Sequence, residues 1–173
     1  GYDLGPNQLP CNSSELMSRL LKTRTNDLES QNNKPLDHLS LTEYMRFWKK
    51  LSQQPKQLII DRWGHPSKAT DLEEDGFSIN GIKFGKISIL IQPARGYDPE
   101  TDKDIHSPDL PPPHRYLAQY HWLEKIFKAN AICHIGKHGT VEWLPGKSIG
   151  LSDKCFPNII CPPIPNIYPF IVN

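Results

Sequence analysis

Lys86-Ile87-Ser88-Ile89-Leu90-Ile91-Gln92, stopped by Pro93, is the stretch that decides the fold class. Its β-branched apolar run predicts a short strand buried on both faces, the kind found in parallel sheets. A proline-rich loop follows. Then Arg115 to Ala129 sets Tyr116, Leu117, Tyr120, Leu123, Ile126 and Phe127 on one helical face, and Ala131-Ile132-Cys133-His134-Ile135 forms a second short apolar strand. Strand, helix and strand in that order predict a parallel crossover.

Outward from this unit, Gly76 to Gly85 alternates apolar and polar residues around Asn80-Gly81, which predicts a small β-hairpin turning at that dipeptide. Further back, Ser40 followed by Glu43 is a capping-box pattern, and Leu41, Tyr44, Met45, Trp48 and Leu51 repeat at helical spacing. A helix is expected over Leu41 to Ser52 and another from Pro55 to about Trp63. Their aromatic stripes are read as core packing. Asn12 and the Leu16, Leu20, Leu21 spacing predict a first helix over Ser13 to Thr23. Between them, Thr25 to Asp37 is polar and closed by Pro35, a composition that predicts a linker or mobile loop. The expected organisation is therefore residues 1–37 as an N-terminal helix with a polar linker, and residues 38–173 as an α/β core. That core is three-layer-like, with a short, mostly parallel sheet, flanking helices and a small hairpin.

Composition narrows the function. The 173 residues carry 20 Lys plus Arg against 19 Asp plus Glu, so a net charge of +1 creates no field to draw in nucleic acid or an anionic membrane. The longest apolar runs are only a few residues, far short of the ~20 that span a bilayer. Gly1 to Pro10 has no basic segment followed by an apolar one, so no signal peptide is expected and the cytoplasm is the default location. Cys11, Cys133, Cys155 and Cys161 make no C-x-x-C pair and are expected to be reduced thiols. Of the 17 prolines, 12 lie at or after Pro93, and five of the 7 histidines fall between His106 and His138. The chemistry is thus concentrated in the second half.

Ligands of open parallel sheets bind beyond the carboxyl ends of the strands. After the first strand come Gln92, Arg95, Tyr97 and Asp98; after the second comes His134-Ile135-Gly136-Lys137-His138-Gly139-Thr140-Val141-Glu142-Trp143-Leu144-Pro145-Gly146-Lys147. The two loops are expected to face one another, with Gly136 and Gly139 permitting a tight turn. His134, His138 and Glu142 stand at i, i+4 and i+8, two imidazoles and a carboxylate that suit a divalent transition metal. The same residues also read as an acid–base group, or as histidines hydrogen-bonded for structure alone. Gly146-Lys147-Ser148 is not a phosphate loop, because Val141 stands where that motif needs its first glycine. No G-x-S-x-G elbow occurs, and Leu110-Pro111-Pro112-Pro113 reads as a stiff lead-in to the helix after it.

Taken together, Gln92-Pro93-Ala94-Arg95-Gly96-Tyr97-Asp98, the string Ser107 to Ala118 and the run His134 to Lys147 resemble the large subunits of cobaltochelatase and magnesium chelatase. The resemblance continues through Leu151 to Pro157 and Pro165 to Asn173, and is closer to the cobalt branch at Asp109 to His114 and at Trp143-Leu144. It implies an internal segment of a much longer multidomain subunit that binds a tetrapyrrole and its metal. It further implies an AAA+ ATPase subunit and a second smaller subunit as partners, with ATP hydrolysed by the partners and not by this chain. The implied reaction is insertion of Co²⁺ into hydrogenobyrinic acid a,c-diamide on the route to vitamin B12, with Mg²⁺ and protoporphyrin IX as the alternative. On that reading His134 and His138 deliver the metal or accept protons, and Glu142 is a base or an additional ligand. Trp143 stacks on the macrocycle, Arg95 and Lys147 pair with its carboxylate arms, and Tyr97 and His114 complete the contacts. A reading of a different class makes the piece a docking scaffold between the ATPase partners and a site elsewhere.

Overall fold

The computed structural model describes residues 9–96, 107–136, 141–147 and 149–169. Helices and short strands alternate, as the α/β reading requires. In chain order they are α1 (Ser13–Leu21), β1 (Asp37–Ser40), α2 (Leu41–Lys50), α3 (Gln53–Trp63), β2 (Gly76–Ile79), β3 (Gly81–Phe84), β4 (Ile87–Leu90), α4 (His114–Lys125), β5 (Ile132–Cys133), α5 (Phe156–Ile160) and β6 (Asn166–Ile167).

The helix starts follow their caps. At α1 the Asn12 side chain accepts from the Glu15 amide at 2.9 Å, and the Glu15 carboxylate accepts from the Cys11 amide at 2.7 Å, a reciprocal capping box. At α2 only half of the expected box forms. Ser40 Oγ accepts from the Glu43 amide at 3.3 Å, while the Glu43 carboxylate turns to Arg46 and lies 3.6 Å from His121. α4 is buried over its first nine residues except Arg115, which is only partly so, and burial therefore extends past the expected apolar face to His114, Gln119 and His121.

The mostly parallel sheet is not what the strands build. They form three separate two-stranded ribbons: β1–β2 antiparallel, β3–β4 antiparallel and β5–β6 parallel. Because β4 folds straight back on β3, it is half-exposed and does not lie beside β5, so β4, α4 and β5 are not a crossover within one sheet. The hairpin also turns elsewhere than expected. β2 pairs with β1, from Ser40 opposite Gly76 to Asp37 opposite Ile79, whereas β3 pairs with β4 through a turn at Gly85, which has φ +57°. Asn80-Gly81 is the joint between two ribbons instead of a reversal. The backbone there is committed to β4, since Ile91 donates to the Asn80 carbonyl at 2.9 Å and a Cβ on Gly81 would stand 2.2 Å from the Ile89 oxygen.

α2 and α4 pack against the β1–β2 ribbon and against each other, and α5 packs on α4. Tyr44, Trp48, Ile59, Phe77, Ile79, Tyr116, Leu117, Tyr120, Phe156 and Ile160 form a single apolar cluster, rich in aromatic contacts such as Tyr44 on Phe77 at 4.8 Å. The polar segment from Thr25 onward carries its own bonds. Asn33 Nδ2 donates to the Thr23 carbonyl at 3.1 Å, Asn26 Nδ2 donates to the Gln92 carbonyl at 2.8 Å, and Arg24 pairs with Glu73. These bonds to backbone and to a distant loop are invisible to composition. All four cysteines are free thiols, and among the described residues no helix is long and apolar enough to cross a membrane.

Candidate functional site

The site is built where β5 meets β6. Ile132 donates to the Pro165 carbonyl at 2.9 Å and His134 donates to the Ile167 carbonyl at 2.8 Å, so the short parallel ladder delivers His134 beside the residues that end β6. The His134 ring stacks on Tyr168 with centroids 4.3 Å apart and planes at 13°. On α4, Tyr120 lies 6.2 Å away at 22°, and Tyr116 stacks on Tyr120 in turn at 5.4 Å. Tyr120 Oη donates to Gln92 Oε1 at 2.9 Å, which ties the loop after β4 to the same cluster.

Burial lowers the pKa of the His134 imidazole, against the opposing pull of its Asn166 hydrogen bond and the Glu142 carboxylate. Glu142 itself is exposed, on a one-turn 3₁₀ helix of Val141–Trp143. Its charge reaches the neighbouring groups. Burial first, and then the charge of the Glu142 carboxylate, raise the Tyr168 phenol, and the same two causes raise the Cys161 thiol. Burial likewise pushes the Tyr120 phenol far up, so both tyrosines are neutral donors at physiological pH.

The two loops do face one another, and Arg95 holds them together. Its guanidinium donates from Nη2 to the Ser107 carbonyl at 3.0 Å, the Leu110 carbonyl at 3.2 Å and the Trp143 carbonyl at 3.0 Å, and the residue is only 3% exposed. Desolvation lowers its pKa, while Tyr116 and Glu142 oppose that shift. Arg95 is therefore a buried clamp between loops. Buried as it is, with Nη2 engaged by three backbone carbonyls, it is not exposed to pair with a substrate carboxylate. The neighbouring Gly96 has φ +112°, and a Cβ there would stand 2.3 Å from Trp63 Cη2, so the loop is seated hard against α3.

His114 is placed elsewhere. It opens α4 at 0% exposure, with Nε2 3.0 Å from the Gly64 carbonyl and Nδ1 2.9 Å from Tyr44 Oη. Because a carbonyl only accepts, Nε2 donates to Gly64 and Nδ1 accepts from the tyrosine. Both ring nitrogens are engaged inside the core, so no macrocycle contact is open to His114. Trp143 is 44% exposed, and its carbonyl accepts from Arg95. Lys147 lines a different recess, an open cavity of about 420 Å³ with Gln54, Ser152, Asp153, Lys154 and Cys155, in which the Cys155 sulfur accepts from the Lys147 and Ser152 amides at 3.4 Å each. Tyr97, His138 and Gly139 lie outside the described residues. Among the described residues, no three His, Cys, Asp or Glu side chains gather closely enough to hold a metal ion.

Sequence reasoning did not single out Asn166 and Tyr168, which contact His134 directly. The available signal was Pro165-Asn166-Ile167-Tyr168-Pro169, a β-prone tripeptide fenced by prolines, whose partner strand lies about thirty residues earlier and leaves no local mark.

The family model described as CobN/Magnesium Chelatase matches residues 1–173. The aerobic cobaltochelatase subunit CobN of Pseudomonas aeruginosa is 42% identical over 166 residues, covering 95% of this chain and 13% of that protein. The protein of the same name from Sinorhizobium sp is 42% identical over 173 residues, 100% of this chain and 13% of that one. The chloroplastic magnesium-chelatase subunit ChlH of rice is 32% identical over 154 residues, 89% of this chain and 11% of that one. Among solved structures, the catalytic subunit of cobaltochelatase from Mycobacterium tuberculosis superposes with a TM-score of 0.76 at 34% identity, over 92% of this chain and 14% of that chain. The chain thus spans about one seventh of the length of these relatives.

Proposed function

The chain belongs to the CobN/magnesium chelatase family, and from that premise we propose that it is a segment of the large subunit of an ATP-dependent cobaltochelatase that inserts Co²⁺ into hydrogenobyrinic acid a,c-diamide. The observation that carries this reading is the convergence of His134, Glu142 and Tyr168 at the end of the β5–β6 ladder, with Arg95 joining the loops around them.

Insertion exchanges a divalent ion for the macrocycle's N–H protons, so the site must offer lone pairs to the ion, to the protons or to both. His134, kept neutral by burial, and His138 supply imidazole lone pairs, a donor type that suits cobalt. Glu142 takes a proton or joins the ion as a carboxylate ligand. Trp143 stacks on the macrocycle, Lys147 and Tyr97 meet its polar side arms, and Arg95 serves as the positioning clamp. An AAA+ subunit and a second smaller subunit hydrolyse ATP and drive the cycle, in the cytoplasm.

The magnesium branch is the second reading, favoured by the 32% match to a magnesium-chelatase subunit. Cobalt stands first because identity rises to 42% with cobaltochelatase subunits and because imidazole is a poor ligand for Mg²⁺. In the full-length subunit, Glu142→Gln is expected to abolish insertion while macrocycle affinity, read by quenching of tryptophan fluorescence, changes less than about twofold. Equal loss of binding and insertion would instead make Glu142 a structural residue. Unaltered insertion would favour a docking scaffold.

A further inference from the structure

The His134 ring is held from three directions, and one of them determines where its hydrogen sits. Its faces are set by Tyr168 at 4.3 Å and Tyr120 at 6.2 Å, which fix the plane of the ring. Its edge meets Asn166, whose Oδ1 stands 3.3 Å from Nε2. The orientation of that amide is not free. Asn166 Nδ2 donates to the Ile164 carbonyl at 3.1 Å, and since a carbonyl can only accept, the nitrogen must face Ile164 and the oxygen must face the histidine. An amide oxygen is also only an acceptor. The contact with Nε2 is therefore a hydrogen bond only if Nε2 carries the hydrogen. The ladder places Asn166 there, opposite Ile132 in register.

We propose that Asn166 is a positioning residue that locks neutral His134 in the Nε2–H tautomer, leaving the Nδ1 lone pair as the atom offered to a metal ion or a departing macrocycle proton. Among the described residues no hydrogen bond reaches Nδ1. The arrangement follows the rule that the partner of one imidazole nitrogen decides which nitrogen does the chemistry. The inference rests on the reading of His134 as a functional group, but it concerns a property of the ring that exists before any metal or macrocycle arrives.

The test is nitrogen NMR of the full-length subunit with ring-¹⁵N histidine, at alkaline pH where the ring is neutral, with His134→Gln identifying the signals by their loss. In the wild type, Nε2 is expected to bear the hydrogen and Nδ1 to be bare. Asn166→Asp keeps an acceptor and should keep that pattern. Asn166→Leu removes it and should lower the ratio of Nε2–H to Nδ1–H by roughly threefold to tenfold, the range that one neutral hydrogen bond supplies. A dominant Nδ1–H form in the wild type, or the same ratio in Asn166→Leu, would overturn the proposal. No metal or macrocycle is present, so a negative result here is separable from a negative result with Glu142→Gln.

Discussion

Two histidines, one opening α4 and one following β5, meet opposite surroundings. His114 is fully enclosed among Tyr44, Trp48 and Phe77, with both nitrogens bonded to protein. His134 is half-buried, stacked on Tyr168 with Tyr120 6.2 Å away, and bonded through one nitrogen. At His114 both nitrogens are spent, and leaving either unbonded there would cost about 1–3 kcal/mol. Histidine at a strand end can keep one nitrogen in reserve. Arg95 is likewise buried, with its Nη2 donating to three backbone carbonyls that join the loops.

The sharpest challenge to this contrast is replacement of each ring by an apolar side chain. His114→Leu strands the Tyr44 hydroxyl and the Gly64 carbonyl together in the core, and is expected to lower stability by about 4 kcal/mol in denaturant titration. His134→Leu should cost about 1 kcal/mol, since it loses one exposed hydrogen bond and part of a stack. Equal costs would erase the distinction. Next in size, Gly96→Ala tests whether the loop region depends on the core. The φ of +112° and the approach to Trp63 predict a loss of about 2 kcal/mol, with Arg95 displaced from the Trp143 carbonyl and a fall in macrocycle affinity. Unchanged stability would mean that the loop is not seated on α3.

The smallest effect is a pH dependence. Burial lowers the His114 pKa from an ordinary 6.5, so the folded state resists protonation and the unfolded state takes the proton. Its contribution is complete above the unfolded value and is lost as pH falls through the folded one. Stability should accordingly decline below about pH 6.5. His114→Gln, which retains a donor and an acceptor, is expected to flatten that decline. His134→Gln should flatten it less, because His134 is only half-buried and its shift is opposed by Asn166 and Glu142. A larger effect at His134 would reverse the ranking of the two sites.

Local signals in the sequence were sufficient for the helices. The Asn12 and Ser40 caps, the leucine and aromatic spacings and the proline before His114 place α1 to α4 within a few residues of their observed limits. Pairing was not legible. Asn80-Gly81 has the composition of a hairpin turn, yet β1, four residues long and about forty residues earlier, competes successfully for β2. Ile87 to Leu90 looks like a central strand although its nearest partner is the strand just before it. For the site, the strand-end rule and the family resemblance pointed to two loops that the structure joins through Arg95, and to His134 and Glu142 in the second of them. They could not separate a spent histidine or arginine from an available one, since that depends on carbonyls at Gly64, Ser107, Leu110 and Trp143 that carry no side-chain signature.

The two-residue ladder between β5 and β6 also sets an order of events during synthesis. When His134 leaves the ribosome, the aromatic core of α2, β2 and α4 already has its constituents, but β5 has no strand to pair with until Pro165 to Ile167 have followed. At roughly 5–20 residues per second that interval is a few seconds. The nascent chain thus has time to settle its interior first, and the imidazole meets Tyr168 only once that later strand has followed.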